Sequence, residues 1–325
     1  MNHFNRILIR ATNWVGDAVM SLPALQAIRE RFPDAHIAIL AKPWVAGLYE
    51  RERVADEVIF YQTNPSWKIG LSLRPKKFDC AILLQNAFEA AWIAWLAGIP
   101  NRIGYNRDGR GFLLTRAVAP PKRGEIPRHQ RFYYLELLRR AGLIDGLPQC
   151  DAIHLTRPGS PNGKRVIGIS PGAAYGNAKR WLPERFAEAA AELATKRGAS
   201  IALFGSGSER ALCEQVAQRL NVQHVTNYAG QTSLAEFIDL AAACELFLTN
   251  DSGAMHIASA LGIPTVAIFG ATDDTATGPT GPKARVVREP VECSPCLLRE
   301  CPIDHRCMTR VSAGRVVEEA LQLLD

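Results

Sequence analysis

Apolar residues in the first half of the chain alternate between short continuous runs and longer stretches with helical spacing. Residues 7–10 (Ile-Leu-Ile-Arg) predict a strand, residues 18–32, ended by Pro33, predict a helix, and residues 37–40 (Ile-Ala-Ile-Leu) predict the next strand. One βαβ unit results. Residues 58–61 and 80–84 add strands, and residues 87–97, closed by Gly98 and Pro100, have the composition of a buried helix. Residues 104–128 then break every period, because Gly104, Gly109, Gly111, Pro120, Pro121 and Pro127 interrupt them; a mostly irregular, mobile, basic segment is expected. Helical spacing returns over 130–141, and residues 155–163, with Pro158, Gly159, Pro161 and Gly163, have linker composition.

The second half restarts the alternation. Strands are predicted at 166–170, 201–204, 246–249 and 265–269, and helices at 183–196, 209–220, 234–243 and 255–261. Two consecutive βα arrays predict an α/β fold with two doubly wound, mostly parallel sheets, each carrying its ligand edge at the strand C-termini. The expected domains are 1–158 and 159–325, with a substrate cleft between them. The last helix, 313–324, has apolar residues at 316, 317, 320, 321 and 324, so one face must pack, with the N-terminal domain as one candidate partner.

Composition narrows this picture. Across 325 residues, 47% are hydrophobic and 22% charged, which excludes a disordered or fibrous chain. The net charge of +6 is unevenly spread: residues 1–160 hold 22 Lys+Arg against 14 Asp+Glu, and the remainder holds 16 against 18. The first half is therefore expected to meet something anionic (nucleic acid, a phosphorylated sugar or a membrane surface) unless it is only a solvated basic face. No apolar run approaches the ~20 residues of a membrane-spanning helix; the best candidate, 90–99, is about half that length. Met1-Asn-His-Phe-Asn-Arg leads directly into a strand rather than a long apolar region, so a cytoplasmic protein is expected.

Four junctions carry candidate chemistry. In Arg10-Ala-Thr-Asn-Trp-Val-Gly-Asp17, Gly16 suits a tight turn, and Asp17 is either a helix cap or a carboxylate that accepts a proton from an attacking hydroxyl. Ser170-Pro-Gly-Ala-Ala-Tyr-Gly-Asn-Ala-Lys179-Arg180-Trp181 combines small residues with two cations able to neutralise a diphosphate, and it is not a P-loop. Adjacent cations at a predicted helix start oppose the helix dipole, which favours a ligand role over a solvated pair. Gly205-Ser-Gly-Ser-Glu209-Arg210 lacks the third glycine of a dinucleotide fingerprint, leaving Glu209 as a dipole partner or a ribose ligand. Thr249-Asn-Asp251-Ser252-Gly253-Ala-Met-His256 gathers capping residues, a glycine and a histidine one turn on: a phosphate or sugar site, or a capped helix with a buried histidine.

Of eight cysteines, Cys80, Cys150, Cys213 and Cys244 fit small buried hydrophobes. Cys293, Cys296, Cys301 and Cys307 fall within fifteen residues, with His305 among them. Metal or iron–sulfur ligation competes there with reduced thiols or disulfides.

Trp14-Val-Gly-Asp17 with the following Ser-Leu-Pro-Ala-Leu, Pro171-Gly-Ala with Lys179-Arg-Trp, Leu203-Phe-Gly-Ser, and Asn250-Asp-Ser-Gly-Ala-Met-His256 together resemble the family 9 glycosyltransferases. The resemblance is greatest to the ADP-heptose:lipopolysaccharide heptosyltransferases of type II, and it runs from Ile7 to the C-terminal helix. It implies the GT-B architecture: two facing Rossmann-like domains, with the acceptor on the first and the nucleotide sugar on the second. It further implies inverting transfer of heptose from ADP-heptose to the heptosyl-Kdo-lipid A inner core, with no covalent intermediate.

In that scheme Asp17 is the general base, and Lys179, beside Arg180, stabilises the diphosphate. Glu209 binds ribose, Thr232 lies near adenine, and Asp251, Ser252, Gly253 and His256 hold the heptose and phosphates. The charge pattern, rather than the resemblance, suggests Arg102, Arg107, Arg110, Lys122, Arg123 and Arg128 as contacts for the acceptor's phosphates and carboxylates. A carboxylate base and a charge-stabilised leaving group suffice for the transfer, so no cofactor is required, and zinc or an iron–sulfur group at the cysteine cluster is expected only in a structural role. The implied setting is cytoplasmic, peripheral at the inner membrane, with no nucleic-acid partner. The alternatives are a type I or III heptosyltransferase, a GT-B-fold UDP-sugar 2-epimerase, and a non-catalytic nucleotide-sugar or nucleic-acid binder. An epimerase needs no acceptor site, which the basic segment 102–128 argues against. A nucleic-acid binder needs interleaved aromatics, and that segment offers only Tyr105 and Phe112.

Overall fold

The computed structural model describes residues 3–62, 65–158 and 165–325. The chain divides into two compact units, Met1–Cys150 and Asp151–Asp325. The first is built on β1 (Arg6–Arg10), β2 (His36–Ala41), β3 (Glu57–Phe60), β4 (Cys80–Leu83), β5 (Asn101–Tyr105) and β6 (Arg116–Val118). These pair in the order β3-β2-β1-β4-β5-β6, every pair parallel. The second carries β7 (Val166–Ser170), β8 (Ser200–Leu203), β9 (Val225–Asn227), β10 (Leu246–Asn250), β11 (Thr265–Phe269) and β12 (Ala284–Arg288), paired β12-β11-β10-β7-β8-β9, again all parallel.

Counted from its own first strand, each sheet has the same Rossmann-like order, 3-2-1-4-5-6. The strand order reverses between β1 and β4 in one sheet and between β7 and β10 in the other. Loops leaving the two strands at such a switch point diverge, and the crevice between them is where doubly wound folds hold ligands. The central strands are buried on both faces, with Ile7, Ile9, Leu248 and Ile268 fully enclosed, which is why the sequence shows continuous apolar runs rather than alternation.

Several details differ from expectation. The helix expected at 18–32 is Val15–Arg31; its N-cap is Trp14, and Asp17 sits in the first turn as the third helical residue, so it is not the cap. Lys179 and Arg180 do not open a helix either. Lys179 ends the short turn Asn177–Lys179 and Arg180 caps it, and the helix proper, Pro183–Arg197, begins after them with Leu182 as N-cap. The dipole argument for a ligand role therefore lapses, although the geometry below supplies another. The basic segment is not wholly irregular: it contains the turn Gly111–Leu113 and β6, an edge strand parallel to β5. Helices Pro43–Glu52 and Ser66–Leu73 went unpredicted because they are short and each carries an internal glycine, Gly47 and Gly70.

The unit boundary falls before residue 151 rather than after 158, because backbone bonds tie the intervening residues to the second unit. Ile153 N donates to Thr280 Oγ1 at 3.0 Å and Leu155 N to Ala260 O at 2.9 Å. Residues 159–163 of the expected linker lie outside the described residues. The final helix, Ala313–Leu324, packs within the second unit, against Pro183–Arg197 and strands β11 and β12, burying Val316, Val317 and Ala320 in that unit's core.

Arg110 shows what the sequence-level charge argument misses. Its side chain is fully buried. Nε donates to Tyr105 O at 3.0 Å, and Nη1 donates to Gln85 O and Ala87 O, tying the end of β5 to the loop after β4. Burial lowers its pKa to about 10. Arg102 behaves similarly, donating Nε to Leu113 O and Nη1 to Ile99 O. Both guanidinium groups are thus used to satisfy main-chain carbonyls rather than presented to an acceptor. Arg110→Met should leave those carbonyls unpaired and lower the unfolding free energy by about 3 kcal/mol, read from urea midpoints. A midpoint unchanged from wild type would refute the staple.

Candidate active site

In the first unit, the crevice between β1 and β4 is lined by the residue 11–14 loop, the start of Val15–Arg31 and the residue 84–87 loop. Asp17 is half-buried there, and Tyr134, from the helix Gln130–Arg140, donates its hydroxyl to Asp17 Oδ1 at 2.9 Å. Tyr134 is buried, and burial, reinforced by the Asp17 charge, raises its pKa well above the ordinary tyrosine value. It therefore stays protonated and remains a donor. Asn86, in the loop after β4, donates Nδ2 to Tyr133 Oη at 3.0 Å. Arg10, at the end of β1 and almost fully buried, donates to Ala11 O at 2.7 Å and to the Tyr61 hydroxyl, pinning the loop that leads to Asp17. Sequence reading missed Tyr134 and Arg10; Tyr134 lies 117 residues from its partner, and no local pattern links them.

The second crevice, between β7 and β10, brings together the other two main motifs. Lys179 Nζ lies 2.6 Å from Asp251 Oδ2, with the carboxylate 4% and the lysine side chain 12% exposed. Thr272 Oγ1 donates to the same oxygen. Asn250 bridges the two loops, donating Nδ2 to Pro171 O at 2.7 Å and accepting from Trp181 N at 2.9 Å. Ser252 is the N-cap of the helix Gly253–Ala260, and its hydroxyl is 3.1 Å from Thr249 Oγ1. Gly253 is the first helical residue, and His256 is buried one turn on, so this edge combines an ammonium group with the positive end of a helix. Arg180 is half-buried and donates Nη2 to Ala173 O. Tyr175 lies between two cations, with Lys179 Nζ 4.7 Å and the Arg299 guanidinium 5.2 Å from its ring centroid.

Glu209 and Thr232 lie further along the same edge, after β8 and β9. Glu209 closes a capping box: Ser206 N donates to Glu209 Oε2 at 2.8 Å, and the same carboxylate abuts Gly172, where any Cβ would collide with it. Glu209 thus has a local capping role that sequence reading did not anticipate. Gly230 N donates to Gly205 O at 2.9 Å, holding the loop before Thr232 against the Glu209 loop. Thr232 is half-buried and immediately precedes Ser233, the N-cap of Leu234–Ala242. Among the other predicted acceptor contacts, Arg107, Lys122, Arg123 and Arg128 are exposed on the first unit.

Cys293, Cys296, Cys301 and Cys307 converge with His305 around one cavity of about 70 Å³, and all four are free thiols. Burial, with the three neighbouring thiols adding to it, pushes Cys307 up to about 11. No group among the described residues is arranged to hold a metal ion, so the expected zinc or iron–sulfur role is not supported: proximity alone does not give ligand geometry. The segment instead packs on the Lys179 loop. His305 Nε2 lies 3.1 Å from Ala178 O, Ala178 N donates to Arg299 O at 3.0 Å, and Tyr175 Oη donates to Leu297 O at 2.7 Å. Cys213 and Cys244 are buried and each is pushed up to about 12 by desolvation, as small buried hydrophobes would be.

Each Rossmann-like unit thus carries polar groups at its own switch point, a half-buried carboxylate in the first and a lysine–aspartate pair in the second. The family model for glycosyltransferase family 9 (heptosyltransferase) matches residues 66–306, and the chain belongs to this family. It is 32% identical over 313 residues to lipopolysaccharide heptosyltransferase 2 of Escherichia coli strain K12, covering 87% of this chain and 88% of that protein. It is 32% identical over 330 residues to lipooligosaccharide heptosyltransferase 2 of Campylobacter jejuni serotype O:6, covering 98% and 99%. The solved structure of E. coli ADP-heptose lps heptosyltransferase II superposes with a TM-score of 0.83 at 30% identity over 98% of both chains.

Proposed function

We propose that this chain transfers L-glycero-D-manno-heptose from ADP-heptose to the heptosyl-Kdo-lipid A inner core of lipopolysaccharide, with inversion at the anomeric carbon. The observation that carries this is the Lys179–Asp251 pair, a largely buried cation and carboxylate at the switch point of the second sheet. Asp17 takes the proton of the acceptor hydroxyl as its oxygen bonds to the anomeric carbon. The bond from that carbon to the β-phosphate oxygen breaks, and the electron pair leaves on ADP. Lys179 and Arg180 neutralise the leaving diphosphate, aided by the amide end of Gly253–Ala260. Asp251, Ser252 and His256 fix the donor, and Glu209 and Thr232 stand along the edge toward the ribose and adenine.

Residues 1–150 bind the acceptor, whose phosphates meet Arg107, Lys122, Arg123 and Arg128, and residues 151–325 bind the nucleotide sugar. The lipid-linked acceptor places the enzyme at the cytoplasmic face of the inner membrane. Among the described residues no helix is long and apolar enough to cross a membrane, which fits peripheral attachment.

Calorimetric titration with ADP, UDP and NAD, followed by transfer assays on acceptors carrying no heptose or one, tests this. ADP preference and a requirement for one heptose are expected. A preference for UDP, or transfer to the heptose-free acceptor, would replace the type II assignment. Tyr134→Phe should lower kcat by about tenfold with donor KM unchanged, because it frees Asp17 to leave its productive orientation. Steady-state kinetics with unaltered kcat would show that this contact is only structural.

A further inference from the structure

The helix Phe88–Leu96 has two unlike faces. Ala90, Ala91, Ile93 and Ala94 are buried in the first unit's core, whereas Phe88 and Trp95 are 42% and 46% exposed. The expectation of a wholly buried helix thus fails on one side. On that side the rings form a ladder: Trp95 to Trp92 at 5.1 Å, Trp92 to Phe88 at 6.4 Å, and Phe88 to Phe112 at 6.2 Å between centroids, with Phe112 77% exposed. The adjoining helix Ser66–Leu73 lies close enough that a Cβ on Gly70 would collide with Leu96, and it adds exposed Trp67 and Leu71. Connected apolar surface of this kind marks an interaction site rather than ordinary scatter.

Its charge selects the partner. Residues 65–113, which carry this face, expose the cations Lys68, Arg74, Lys77 and Arg107 against one exposed carboxylate, Asp108, while Arg102 and Arg110 are turned to main-chain carbonyls instead. Lys68 Nζ sits 5.4 Å from the Trp67 ring centroid. A second copy of the chain would set like charges against each other, and lysine is depleted from protein–protein interfaces. Tryptophan and phenylalanine rimmed by Lys and Arg match the boundary layer of an anionic bilayer, where rings sit at headgroup depth and cations meet phosphates.

We propose that this aromatic face seats the first unit in the headgroup layer of an anionic membrane. It deepens the transfer reaction proposed above, on which it rests, by naming the surface through which a lipid-borne acceptor is approached. The test uses the purified full chain with vesicles of phosphatidylethanolamine containing about one quarter phosphatidylglycerol. Wild type should co-sediment, with a blue shift of tryptophan emission. The double variant Trp95→Glu, Phe112→Glu should partition at least about tenfold more weakly. It should also keep kcat/KM within about twofold on a deacylated, water-soluble acceptor, because neither residue is among those given a part in transfer above.

Phe112→Glu alone, at the most exposed position, decides the matter if the pair does not fold. Wild-type binding no stronger than to neutral phosphatidylcholine vesicles would overturn the proposal, as would a variant that sediments like wild type. So would a concentration-dependent dimer in the ultracentrifuge that the variant abolishes, since a second copy would then occupy the face. The vesicle result stands even if no acceptor is turned over, so failure of the membrane contact and failure of the transferase assignment are separable.

Discussion

Asp17→Asn should reduce heptosyl transfer by about 10³-fold in kcat while ADP binds as in wild type. The amide keeps the size of the carboxylate and can still accept the Tyr134 hydroxyl, so the local packing survives; what is lost is the ability to take a proton. Because Trp14 rather than Asp17 is the N-cap, the substitution removes no cap. Only the interaction of a first-turn charge with the helix dipole is lost, about 0.3–1 kcal/mol. A transfer assay and an ADP titration on the same sample therefore separate chemistry from folding. Activity within tenfold of wild type would remove Asp17 as the base, and loss of ADP binding would mean that the change had spread beyond the first unit.

Lys179→Met should have two measurable effects. Loss of a charge-assisted contact to the diphosphate should weaken ADP binding by roughly 30-fold. Asp251, at 4% exposure, would also lose its countercharge and keep only the Thr272 hydroxyl, lowering stability by about 3 kcal/mol. The double variant Lys179→Met, Asp251→Asn distinguishes the two, because a neutral amide no longer needs a cation. Its denaturation midpoint should return most of the way to wild type, while ADP affinity should stay low. A double variant no more stable than the single one would show that Asp251 is not held as a buried charge, and full ADP affinity in Lys179→Met would show that the lysine serves the fold alone.

Strand runs, helical spacing and the turn glycines made the two βα arrays legible because parallel strands buried on both faces must be continuously apolar. Strands β5, β6, β9 and β12 were not legible: β6, β9 and β12 are half-exposed edge strands of three to five residues, and β5, Asn-Arg-Ile-Gly-Tyr, is broken by polar residues and a glycine. Asp17, Lys179 and Asp251 could be singled out as candidates because each sits at a strand-to-helix junction, where local sequence reports local geometry. That Lys179 and Asp251 pair directly was not readable, nor that Tyr134 holds Asp17, because both contacts join segments far apart in the chain. Charge alone misassigned Arg102 and Arg110. A formal charge counts equally whether it faces solvent or, as with Arg110, is enclosed among carbonyl oxygens.

The position of the last helix also sets an order of events during synthesis. All six strands of the first sheet are contiguous in residues 1–150, so that unit holds everything its core needs once those residues have emerged. The second core is completed by Val316, Val317 and Ala320, contributed by the final twelve-residue helix. Until that helix arrives, the surface of Pro183–Arg197 and strand β11 that it covers stays open to water. The second unit is therefore the last to mature and is the one that a truncated transcript or a stalled ribosome would leave aggregation-prone beside an already folded first unit.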